Sequence, residues 1–190
     1  MGFKKHAKFM LASTLVLAFQ TGWAAEPGAL SIGTSVNYSS GKYGSSTSTD
    51  ITSIPVNVTY DTGPWSLKLS VPYVRITGPG DVVAGVGKTS KSTTAVRTAS
   101  GLGDVVAAAT YNFYNDAASQ SGADVTGKIK FGTGDSAKGL GTGENYYSVL
   151  LDVYKKVNQF TLFGGVGYTV LGSSAAISLR NVFSLTAGST

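Results

Sequence analysis

Apolar and polar residues alternate with a period of two from residue 29 almost to the end of the chain. Seven segments carry the pattern plainly: 29–39, 52–60, 65–75, 104–114, 124–131, 146–155 and 159–170. A weaker eighth covers 181–188, with Phe183, Leu185 and Ala187 on one side. In 65–75, for example, Trp65, Leu67, Leu69, Val71 and Tyr73 oppose Ser66, Lys68, Ser70 and Pro72. Successive side chains of a strand point to opposite faces, so this pattern predicts strands with one greasy face each. The segments run about 8–12 residues, against about 5–6 for an ordinary strand. A tilted membrane-crossing strand needs roughly 9–11.

The connections add an asymmetry. Asp61 to Pro64 and Lys156 to Asn158 are tight turns, and 115–123 is modest. The others, at 40–51, 76–103, 132–145 and 171–180, are longer and rich in Ser, Thr and Gly. Short and long connections alternate, which puts all the short ones at one end of the strands. Outer-membrane barrels have this layout, with short inner turns and long outer loops. Aromatic residues fall into two bands on the apolar parity. Tyr60, Trp65, Phe113 and Phe160 lie toward the short turns, and Tyr38, Tyr73, Phe131, Tyr147 and Tyr168 toward the long loops. Amphipathic rings gain by lying at a lipid–water boundary, so paired bands predict girdles. The expected fold is all-β: an antiparallel up-and-down transmembrane barrel. Backbone polar groups in lipid must all be paired, so such a sheet has to close. The competing architecture is a secreted soluble β-sandwich, in which the apolar parity would be a core.

Residues 1–25 read as a secretory signal peptide. Lys4, Lys5 and Lys8 precede the apolar stretch from Phe9 to Phe19, and small residues lead to a cut after Ala24 or Ala25. Residues 26–190 then form one domain, exported to the bacterial outer membrane. Losing those three lysines from fifteen Lys+Arg, against ten Asp+Glu, lowers the net charge from +5 to about +2. The single histidine, His6, leaves with the leader, and the chain has no Cys. A Ser-His-Asp nucleophile and a thiolate zinc site are thereby excluded. No Lys/Arg cluster remains to track nucleic acid. The glycine-rich stretch 132–143 lacks the order of a phosphate-binding loop and is expected to be a flexible outer loop. Asp135 and Glu144 could meet a calcium ion there, but two isolated carboxylates are weak evidence for such a site. No enzyme activity, cofactor or metal is expected.

On the polar parity the barrel register places Asn57, Lys68, Ser70, Asn112, Lys128, Lys130, Asp152 and Thr161 toward the lumen. Unpaired buried charge is costly, so these charges predict water contact. Three lysines against one aspartate would modestly favour anionic or neutral polar solutes. Lipid and lipopolysaccharide are the expected surroundings, with the barrel-assembly machinery as a partner during insertion. A passive channel is the expected function. The alternative is a barrel without transport, serving as a structural or surface-interaction protein.

Three stretches carry a resemblance. They are SGLGDVVAAATYNFY at 100–114, TGKIKFGTGDSAKGLGTGEN at 126–145 and YSVLLDVYKKVNQFTLFGGVGYTVLG at 147–172. They resemble the bacterial outer-membrane family of putative transporters of the MetA-pathway of phenol degradation. The resemblance implies small hydrophobic or aromatic solutes and a barrel of about a dozen strands ending in an aromatic residue. This chain lacks that closing aromatic at Thr190. It therefore reads either as a C-terminally truncated member or as a barrel closing with eight strands.

Overall fold

The computed structural model describes residues 28–43, 47–85, 87–88, 95–172 and 180–190, together with 15–17. In chain order the strands are β1 (Leu15–Leu17), β2 (Ala29–Gly41), β3 (Thr49–Thr62), β4 (Trp65–Pro79), β5 (Val82–Val83) and β6 (Gly87–Lys88). They continue with β7 (Val96–Leu102), β8 (Val106–Asp116), β9 (Ser121–Lys130), β10 (Tyr146–Val157), β11 (Phe160–Leu171) and β12 (Val182–Ser189). All pairings are antiparallel. Neighbours follow the order β1-β2-β3-β4-β8-β9-β10-β11-β12, with β7 also on β4, and β5 and β6 pair separately. The eight long strands curl into a half-barrel. All eight alternating segments of the sequence are strands. The predicted leader lies outside the described residues except for β1, which runs along β2 with Leu15 opposite Val36.

Local chemistry explains the turns. The two-residue link between β3 and β4 uses Gly63 at φ 55°, and that between β10 and β11 uses Asn158 at φ 55°. Tight hairpins need left-handed backbone, which Gly supplies without steric cost and Asn tolerates. These links and the 117–120 turn stand at one end; the long loops stand at the other.

Side-chain exposure distinguishes the two faces. The large apolar residues are exposed: Leu69 44%, Val149 61%, Leu185 77%. The smaller residues of the other parity, such as Ser70, Thr110, Thr126 and Ser148, are half-buried or buried. Side chains crowd on a concave face and splay on a convex one. The polar parity therefore lines the inside of the curve. A sandwich does not fit, because the faces it would bury as a core are exposed. All nine predicted girdle residues, Tyr38, Tyr60, Trp65, Tyr73, Phe113, Phe131, Tyr147, Phe160 and Tyr168, are exposed on the convex side. A bulge between Asn112 and Tyr114 sets Tyr114 opposite Ala123, adding an exposed ring beside Phe113.

The upper half of β4 differs from expectation. Residues 96–102, assigned to a loop by sequence, form β7 and continue the line of β8 along β4. Tyr73 opposes Leu102 and Ser70 opposes Val106. Three residues thus intervene on one strand against two on the other, which is a bulge. Gly103 sits at this bulge, where a Cβ would fall 2.8 Å from Val74 Cγ2. The buried apolar cluster is small and lies on the inner face at the long-loop end. Val74, Ile76, Val82 and Leu140 form it, with Tyr43, Ile51, Ala84 and Ala99 packed around.

Candidate functional site on the inner face

The register stacks the inner face into layers. Of the four central layers, the one on the long-loop side runs Gly33, Asn57, Ser70, Val106, Lys130 and Tyr146 across successive strands. The next layer is Ser31, Thr59, Lys68, Ala108, Lys128, Ser148 and Thr169. Below it come Asp61, Ser66, Thr110, Thr126, Leu150 and Gly167, then Asn112, Asp124, Asp152 and Gly165. Successive layers are two residues apart, about 7 Å along a strand. The sequence-predicted residues Asn57, Lys68, Ser70, Asn112, Lys128, Lys130 and Asp152 all fall in this stack. Thr161 stands beyond it at the short-turn rim, in register with Lys156.

Hydroxyls and amides bond across strands. Thr110 pairs with Thr126 at 2.8 Å and Ser148 with Thr169 at 2.9 Å. Asn112 Nδ2 donates to Asp124 Oδ1 at 2.6 Å. Such cross-strand pairs are the unit of sheet stabilisation.

The charge count changes with the structure. Asp61, Asp104 and Asp124 share the inward parity with Asp152, so four aspartates meet the three predicted lysines and Lys156 at the rim. The expected positive excess on this face is overturned. Asp124 shares the register of Asp152, Asp61 the parity of Thr59, and Asp104 the parity of Val106 and Ala108. Asp124 and Asp152 lie toward the short turns with Lys156 at the rim, Lys68 and Lys128 lie in the middle, and Asp61 is one layer below Lys68.

Lys130 does not meet open water as expected. Its Nζ is paired with Asp104 Oδ2, with side-chain exposures of 20% and 8%. It also donates to Thr142 Oγ1 at 2.6 Å and lies 3.9 Å from the Tyr146 ring centroid, within cation–π range. Asp104 in turn accepts from the Gly134 N–H at 2.9 Å, the Thr142 N–H at 3.0 Å and the Thr142 hydroxyl at 3.2 Å. Buried charge is tolerated when it is paired and hydrogen-bonded, and here both carboxylate oxygens find donors.

Asp104 thereby latches residues 132–145 across the inner face. The sequence reading had this stretch as a flexible outer loop; it is a folded lid. Leu140, 3% exposed, plugs into the apolar cluster. A side chain at Gly141 would collide with the Asp104 carboxylate, and one at Gly134 with the Gly141 backbone. The glycines here permit close approach rather than loose motion. The Ala84 N–H donates to the Gly139 carbonyl at 3.0 Å. Arg97 donates to the carbonyls of Ala137 (3.3 Å) and Gly80 (3.4 Å), tying the lid to the loop after β4.

A scan against protein-family models found no match, and a search of curated proteins found no similar one.

The lid turn itself is held locally. Lys138 Nζ pairs with Asp135 Oδ2 at 3.0 Å, and the Lys138 N–H donates to Asp135 Oδ1 at 3.0 Å. The hydrogen bond from the Lys138 side chain, followed by that from its backbone, holds the Asp135 carboxyl below the ordinary aspartate range.

Sequence reasoning missed the lid, its latch and Thr142. One signal was available: Leu140 is the only large apolar residue in a run of Gly, Ser, Thr and charge from 132 to 145. A lone hydrophobe there has a reason to fold back.

Proposed function

We propose that the chain forms the wall of an outer-membrane β-barrel that acts as a passive channel, with residues 132–145 narrowing the long-loop mouth. One observation carries this reading: across eight strands the greasy parity is convex and exposed while the polar parity is concave. A soluble protein rarely leaves more than a few hundred Å² of contiguous apolar surface bare. Lipid contact accounts for that surface, and the aromatic bands fall where the lipid boundaries would lie. The leader-like residues 1–25 support export. The solute class, small hydrophobic or aromatic compounds, rests on the resemblance to the phenol-degradation transporter family. The reading assigns no catalytic role.

The second reading is a barrel that does not transport. The observation favouring it is the latch itself, since a lid tied through Asp104 and Leu140 covers part of the inner face. Two measurements separate the readings. Folded protein in detergent should migrate differently on a gel before and after boiling; a single unshifted band removes the barrel. Reconstituted vesicles should then swell in arabinose; heat-modifiable protein that gives no swelling is a scaffold.

A further inference from the structure

Resting on the channel reading above, we infer that the layer containing Lys68 and Lys128 is a binding site for a small oxyanion, a carboxylate or phosphate group, seated over Ala108. The two lysines occupy the same inner-face row on strands β4 and β9, with Ala108 of β8 between them. Their backbones are two strand spacings apart, about 9–10 Å. Each ammonium sits on a four-carbon stem, and only a methyl group stands between the stems. Both cations can therefore reach one ligand.

The layer holds donors and no carboxylate. Both lysines are exposed, and neither is in an ion pair among the described residues. The nearest acid, Asp61, is diagonal to Lys68: it follows Thr59, the partner of Lys68, by two residues. Asp104 is occupied by Lys130. Asp124 lies four residues from Lys128 on the same strand, about 13–14 Å away. Beside Lys128, Ser148 and Thr169 share one hydrogen bond at 2.9 Å, which leaves the second hydroxyl proton free to donate. Two unpaired ammonium groups and a free hydroxyl proton around a small gap suit a group with two or more negative oxygens. Asp104 is spent on Lys130, and Asp124 and Asp152 lie two layers away; Asp61, one layer below Lys68, is the one acid that competes with a ligand there.

The test uses the full chain folded in detergent micelles, with labelled alanine methyl groups. Sodium benzoate is the first probe, because its ring current reports contact; inorganic phosphate is the second. The Ala108 methyl should shift saturably, while Ala107 and Ala109, on the opposite face, stay still. Lys68→Gln or Lys128→Gln should weaken binding about tenfold or more, and Lys156→Gln at the rim should not. Competition by phosphate identifies a general oxyanion site; its failure identifies a carboxylate site. No saturable shift at Ala108 with either anion in the unaltered protein, or equal loss in Lys156→Gln, overturns the inference. Arabinose swelling of vesicles is measured in parallel. Swelling without anion binding leaves the channel and removes this site; anion binding without swelling leaves the site and removes the channel.

Discussion

Replacing Asp104 with Ala should release the lid while leaving the sheet intact. The carboxylate is 8% exposed and accepts from Lys130, the Gly134 N–H and both donors of Thr142. Removing it strands Lys130, itself only 20% exposed, and leaves two backbone N–H groups of the lid without an acceptor. Breaking one side of a buried ion pair costs about 3–5 kcal/mol. The hydrogen bonds are part of the same network, so their values are not added. The loss falls on attachment of 132–145, because the β8–β9 and β9–β10 ladders do not pass through Asp104. At about 1.4 kcal/mol per factor of ten, the lid should open roughly a hundredfold to a few thousandfold more often. Lys138 provides the readout, being an exposed tryptic site in the lid's tight turn. Brief trypsin digestion of folded protein should cut after Lys138 at least tens of times faster in Asp104→Ala, with the boiled-versus-unboiled gel shift unchanged. Single-channel conductance should rise in step. Cleavage at the parent rate would refute the latch, and loss of the gel shift would show that Asp104 supports the sheet rather than the lid.

Leu69→Arg, on the convex face, should cost roughly 2–4 kcal/mol in lipid near the midplane, whereas Lys68→Ala, one residue away on the concave face, should leave assembly intact; equal damage by urea titration in vesicles would refute the assignment of faces. Leu140→Ala should cost about 2–5 kcal/mol locally and speed cleavage after Lys138, since Leu140 is buried among Val74, Ile76 and Val82. Gly141→Val should likewise displace the lid, because its side chain collides with Asp104; an unchanged Asp104–Thr142 contact by crystallography would contradict this. The Asp135–Lys138 pair should fail in acid. Its folded pKa is lowered, so its contribution is present above the unfolded value and lost as pH falls through the folded one. An NMR titration of the Asp135 carboxyl should find a midpoint below the ordinary aspartate value, moved back toward it by Lys138→Ala, which removes the side-chain hydrogen bond and keeps the backbone one.

The strands were legible because period two is a strong local signal and a one-residue slip would turn every side chain over. Segment 65–75 illustrates both success and limit. Its alternation from Trp65 to Tyr73 places each residue on the observed face, yet β4 continues through Val74 and Ile76 to Pro79. Beyond Tyr73 the inward positions become apolar, because they meet Val82 and Leu140 of the loops rather than an open interior. Periodicity reports a side chain's parity and carries no information on what a distant loop lays across it. The same limit hid β7: Arg97, Ala99 and Gly101 alternate with Thr98, Ser100 and Leu102, a pattern with no consistent apolar side. Lys130 was placed on the correct face, but its partner lies 26 residues away at a bulge, which periodicity cannot show.

Among the described residues β12 pairs with β11 alone, so its far side carries a row of unmet amides and carbonyls. In hydrocarbon each such group costs several kcal/mol, and over an eight-residue strand the penalty rivals the whole stability of an ordinary domain. Something must mate with that seam before the sheet can live in a bilayer. The bore of a barrel grows with its number of staves. Whatever docks at the seam therefore decides whether Lys68 and Lys128 face a snug slot or a wide aqueous shaft.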